Sequence, residues 1–145
     1  MVGLMVLTWA WAENSLAMTI GVINKNAGPI KGHPEAPLSL KKRVNCFRIA
    51  LRDIPALKPL QEEGRALAVR FTELGARRNN FIHGAAWQLE QGGFQSMVFA
   101  VMGGKYIVKD HRFDEDDAFL FNVEITKLQA EIADFMLRVA AIFGN

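Results

Sequence analysis

The run Arg77-Arg78-Asn79-Asn80-Phe81-Ile82-His83-Gly84 gathers cationic donors, two carboxamides and a group that titrates near neutral pH. Reading back from it, Leu60, Gly64, Leu67, Phe71 and Leu74 recur in alternating steps of four and three. Continuing the stripe lands on Arg78 and then Phe81, so Arg78 takes a position that faces other helices. A guanidinium there is costly unless something accepts its hydrogen bonds. Arg77 points elsewhere, shares the outer face with Arg70 and follows Glu73 by four residues, the spacing of an ordinary surface ion pair. Arg78 is the functional candidate, and Arg77 reads as a solvated charge.

Four further stretches must position that run. Residues 3–24 are apolar, with one face running Val6, Trp9, Glu13, Leu16, Ile20, Ile23. No Lys or Arg precedes the run and Glu13-Asn14-Ser15 interrupts its centre, which argues against a signal peptide or membrane span. It reads as a central helix covered on most sides, its stripe broken by Glu13 alone. A carboxylate and a guanidinium that each interrupt an apolar stripe are expected to meet, Glu13 with Arg78. Gly28, Pro29, Gly32, Pro34 and Pro37 mark 25–37 as a flexible loop, with His33 a surface residue. Ser39 caps the next helix, which turns Leu40, Val44, Phe47, Leu51 and Ile54 inward. Its outer side carries Lys41, Lys42, Arg43, Arg48 and Arg52; Lys41, Asn45, Arg48 and Arg52 form one basic stripe, either a solvated face or a track for phosphates.

Pro55 closes that helix, and Pro59 suits the first turn of the long one that reaches His83. Gln91-Gly92-Gly93 ends the helical pattern. Phe94 to Met102 reads as a strand, Gly103-Gly104 as a tight turn and Tyr106 to Phe113 as its partner, a hairpin with apolar residues on both faces. Asp114 is the expected N-cap of a last helix whose Phe121, Ile125, Leu128, Ile132, Phe135, Val139 and Ile142 form a regular seam. The fold class expected is mainly α: one domain over 1–145, a four-helix antiparallel bundle with a β-hairpin inserted before the last helix. The seam and the hairpin offer more apolar surface than one small bundle readily covers, so a homodimer is expected.

Arg78-Asn79-(Asn80-Phe81-Ile82)-His83, an arginine followed by a polar residue and then by His-Gly at the end of a long helix, resembles the R-x4–6-H motif of the HEPN superfamily. Members are small all-helical domains, many of them metal-independent ribonucleases. A long first helix with a mid-helix acid, a basic second helix and a long final helix extend the likeness over most of the chain; the extended segment after the motif departs from it. The resemblance implies an RNA substrate attacked by its own 2′-hydroxyl. It implies that His83 moves the proton, that Arg78 stabilises charge on the phosphorus oxygens, and that Asn79 or Asn80 binds the phosphate or orients His83. It further implies dimers with motifs facing one another, a toxin or defence role, and a nucleotidyltransferase-like antitoxin as partner. On an ideal helix five residues rotate about 140°, so Arg78 and His83 converge only if the helix loosens near Gly84 or two subunits share the site. Two other readings stay open: a structural Glu13–Arg78 lock, and a non-catalytic RNA-binding, nucleotide-binding or protein-interaction module. An oligomeric scaffold built on the last seam is a third class.

Composition sets the outer bounds. The 145 residues are half apolar and 22% charged, enough for one core, and a net charge of +2 gives no licence by itself for nucleic-acid binding. The single Cys46, beside the apolar stripe of its helix, fits a small core residue and a reducing cytoplasm. Three scattered histidines without a Cys–His cluster give no metal site, and no cofactor is expected.

Overall fold

The computed structural model describes residues 2–82, 85–88 and 94–144. Within them the chain is mainly helical: α1 spans Val2–Ala27, α2 Leu40–Asp53, α3 Gln61–Ile82 and α4 Glu115–Ile142. A 3-10 turn, Pro55–Leu60, leads into α3, and strands β1 Ala85–Gln88, β2 Phe94–Met102 and β3 Lys105–Phe113 stand between α3 and α4. The caps read from sequence are in place. Ser39 Oγ accepts from the Lys42 N–H at 3.4 Å, and Asp114 forms a reciprocal capping box with Asp117, at 2.7 and 3.2 Å.

The seam of α4 from Phe121 to Val139 is at most 1% exposed, covered by this chain's own helices and so closed to a second subunit. Its most extensive helix contact is with α1. Edge-on aromatic pairs join α1 to α3 through Trp9 and Phe71, and α2 to α4 through Phe47 and Phe135. Gly64 lets three helices approach: a Cβ there would lie 2.6 and 2.7 Å from the Leu51 methyls of α2 and 3.1 Å from the Phe135 ring of α4. At the other end of α3, Gly75 sits equally close to Leu40, so α2 and α3 run antiparallel.

Between α3 and α4 the direction is fixed by charge. Glu63 pairs with Arg138, Arg70 with Glu131 and Arg77 with Glu124, each step of seven forward on α3 matched by seven back on α4. The expected Arg77–Glu73 pair gives way to this ladder, and the Arg77 guanidinium lies 4.7 Å over the Phe121 ring. In contrast, α1 and α2 run in the same sense. Glu13 meets Arg43 early in α2, and Ala27–Lys31 share a pocket with Ile49, Ala50, Asp53 and Ile54 at the end of α2. The link 28–39 carries the chain back between them. It is pinned where flexibility was expected: Asn24 Nδ2 donates to the His33 and Pro34 carbonyls at 3.1 Å, Asn24 Oδ1 accepts from the Ile30 N–H at 2.9 Å, and Ile30 is buried.

The strands form one antiparallel sheet in the order β1-β2-β3. The β2–β3 hairpin turns on Gly103 and Gly104, both at positive φ (+58° and +75°), the backbone that a two-residue turn of this twist needs. β1 is an addition to the hairpin read from sequence. It occupies part of the stretch in which the helical pattern was expected to run on to Gln91.

Candidate functional site

The motif sits at the C-terminal end of α3. Leu67, Phe71 and Leu74 of its stripe are buried, and Arg78, next in the series, is half-buried. Arg78 Nη1 donates to Asn79 Oδ1 at 3.3 Å, which ties the first two motif residues together. Asn79 is exposed and Asn80 half-buried. The Asn80 carbonyl accepts from Ser96 Oγ at 2.7 Å, and Ser96 is 1% exposed. That bond fastens β2 to the last turn of α3, where carbonyls lack intrahelical donors. Ser96 was not singled out from sequence; the available signal was a small hydroxyl residue that, with Gln95, interrupts an otherwise apolar strand.

His83 and Gly84 lie outside the described residues. The described part of α3 runs to Ile82, so the expectation about how Arg78 and His83 converge, within one chain or across two, also falls outside the described residues.

Glu13 does not meet Arg78. Its Oε1 accepts from Trp9 Nε1 at 2.6 Å and its Oε2 from Arg43 Nη1 at 3.3 Å. Arg43 also donates through Nε to the Pro37 carbonyl at 2.6 Å. The parallel course of α1 and α2 is the cause: it lays Arg43 beside Glu13. Trp9, one turn before Glu13, packs near Gly75, which leaves Arg78 further along α3 and away from Glu13. Arg43, read as an outer-face residue, is turned inward, its side chain 17% exposed. Its place three residues after Leu40 and four before Phe47, at the flank of the apolar stripe, was the signal that it is not a fully solvated charge.

A second cationic feature lies on α2. Lys41, Asn45, Arg48 and Arg52 are all exposed, as the stripe requires. Arg52 is held by its neighbour: Nε and Nη2 donate to the two Asp53 oxygens at 2.5 and 2.8 Å. That hydrogen bond holds the Asp53 carboxyl below the usual carboxylate range. Arg65, from α3, joins Asn45, Arg48, Ile49, Arg52 and Val69 around an open groove of about 400 Å³. Neither Arg48 nor Arg65 forms an ion pair among the described residues. Arg65 was missed because its partners in the groove come from another helix, which linear spacing does not reveal.

Among the described residues no group of three His, Cys, Asp or Glu side chains is placed to hold a metal. None of the helices, over the same residues, is long and apolar enough to cross a membrane. Comparison with family models, with curated proteins and with solved structures found no match to this chain.

Proposed function

We propose that this chain is a helical RNA-handling domain of the HEPN type that cleaves phosphodiesters without a metal, with Arg78 and His83 as the reacting pair. The reading takes the four helices as one bundle with the motif at the end of α3. The observation that carries it is the Glu13–Arg43 contact: the acid on α1 has its counter-charge from α2, so neutralising Glu13 is not the reason for Arg78 at the end of the α3 stripe. In the proposed reaction the 2′-hydroxyl oxygen attacks phosphorus and the bond to the 5′ oxygen breaks. His83 moves the proton between these oxygens, and Arg78 holds the charge that builds on the non-bridging oxygens. Asn79, hydrogen-bonded to Arg78, keeps the guanidinium oriented. A toxin or defence role, opposed by a nucleotidyltransferase-like antitoxin, belongs to the same proposal.

One observation favours a second reading, an RNA-binding module without catalysis. The Arg48–Arg65 groove gathers two cations from different helices on rigid backbone, a fixed seat for a phosphate chain. The two readings separate on the products. Incubation of purified protein with single-stranded RNA in EDTA yields fragments ending in 2′,3′-cyclic phosphate and 5′-hydroxyl if the chain cleaves. Intact RNA, with binding that weakens in Arg48→Ala and Arg65→Ala, selects the binding module. Intact RNA without binding rejects both.

A further inference from the structure

The expectation that α1 is covered on most sides does not hold. Met5, Trp9, Ala12, Leu16, Ile20 and Ile23 are buried, but Leu4, Leu7, Trp11 and Met18 are 57, 49, 58 and 50% exposed on the opposite side. Those four, with Asn14 between them, step by three and four, a continuous seam about 21 Å long at the helical rise. The ionisable residues of α1 are Glu13, which faces Arg43, and Lys25 in its last turn. The outer face from Gly3 to Gly21 therefore carries no charge. An apolar face of this length on a water-facing helix marks a contact surface.

We propose that this face binds the same face of a second copy of the chain, the two α1 helices crossing antiparallel about a twofold axis at Trp11. The spacing is self-complementary. Leu4 lies seven residues before Trp11 and Met18 seven after, so the axis sets Trp11 on its counterpart and each Leu4 on the partner copy's Met18. Leu7 then lies opposite the Asn14–Ser15 turn. No charge is buried or opposed, as two copies of one uncharged face allow and as a charged partner would not exploit. A lipid surface fits less well: an interfacial helix draws on a cationic polar face, and α1 has no Lys or Arg before Lys25. A central tryptophan flanked by aliphatic residues is also the composition of an interface anchor. The proposal does not rest on the nuclease reading, since it invokes neither Arg78 nor His83. It replaces the α4 seam, which is buried within one chain.

Sedimentation and light scattering of the full chain at micromolar concentration test it. The expected mass is twice 16.2 kDa, and Trp11→Glu should weaken association at least about 30-fold with helical content unchanged. Leu4→Glu alone should also dissociate the dimer. Leu4→Glu combined with Met18→Lys should restore it, because the antiparallel axis brings the introduced opposite charges together. A wild-type monomer at 100 µM, whether or not it binds neutral or anionic vesicles, overturns the proposal. So does a dimer that survives both single substitutions, which would place the contact elsewhere. Failure of the combined variant to recover while both single variants fold would reject the antiparallel self-pairing.

Discussion

Glu13 illustrates how far one residue can be read from a sequence. Its break in an apolar stripe correctly marked a carboxylate that needs partners inside the fold. The choice of Arg78 failed because a stripe says that a residue faces inward, not which helix it faces. Trp9 Nε1 and Arg43 take the two oxygens, with the Glu13 and Arg43 side chains 26% and 17% exposed. Partial exposure lowers the worth of the pair below that of a fully buried one, to a coupling of about 1–2 kcal/mol. A double-mutant cycle by chemical denaturation should return that coupling for Glu13 with Arg43 and less than about 0.5 kcal/mol for Glu13 with Arg78. The opposite ranking would restore the α1–α3 lock. Cys46 gives a second test at this scale. Burial without compensation pushes its thiol up from 9.0 to about 11. The unfolded chain then ionises first, so stability is intact below about pH 9 and falls as pH rises toward 11. Cys46→Ala should flatten that alkaline limb; an unchanged slope would mean the thiol contributes nothing to it.

At the scale of elements, the helices were legible and their mutual directions were not. Periodicity and capping residues placed α2, α4 and the β2–β3 hairpin, with Ser39, Asp114 and Gly103-Gly104 acting as read. β1 was not seen, because the four residues Ala85-Ala86-Trp87-Gln88 are too short a run to carry a readable alternation. The parallel course of α1 and α2 depends on a link of twelve residues, long enough to return the chain, and no local pattern encodes it. The ladder of Glu63, Arg70 and Arg77 against Arg138, Glu131 and Glu124 is visible as heptad spacing only once α3 and α4 are known to be neighbours. Exposed pairs of this kind contribute little individually and serve mainly to set register. Gly64 is the residue on which the approach of α2, α3 and α4 depends. Gly64→Val should cost about 1–3 kcal/mol, since the Leu51 methyls and Phe135 ring it would strike are themselves buried. Thermal unfolding reads this directly, and an unchanged midpoint would show that the helices can separate without loss.

For the whole molecule, the sheet and the motif converge on one question, the task of the α3 C-terminal end, while the basic groove lies further back along α3, at Arg65 and Val69. Ser96 fastens the sheet to the Asn80 carbonyl, and Arg78 lies one turn before the last helical residue. The nearby Arg77 is already committed to Glu124 and Phe121. Arg77, held in the α3–α4 ladder, supplies the control for the proposed chemistry. The groove cations are proposed to bind substrate and should behave differently again: Arg48→Ala and Arg65→Ala should raise KM and shallow the salt dependence while leaving kcat within about twofold. The decisive measurement is the initial rate of cleavage of single-stranded RNA in EDTA by wild type, Arg78→Ala, His83→Ala and Arg77→Ala, each confirmed folded by circular dichroism. Arg78→Ala and His83→Ala should each lose at least about 100-fold in kcat, as loss of charge stabilisation or of a proton carrier does, with Arg77→Ala within about threefold of wild type. Wild-type rates in both motif variants would contradict the proposed site.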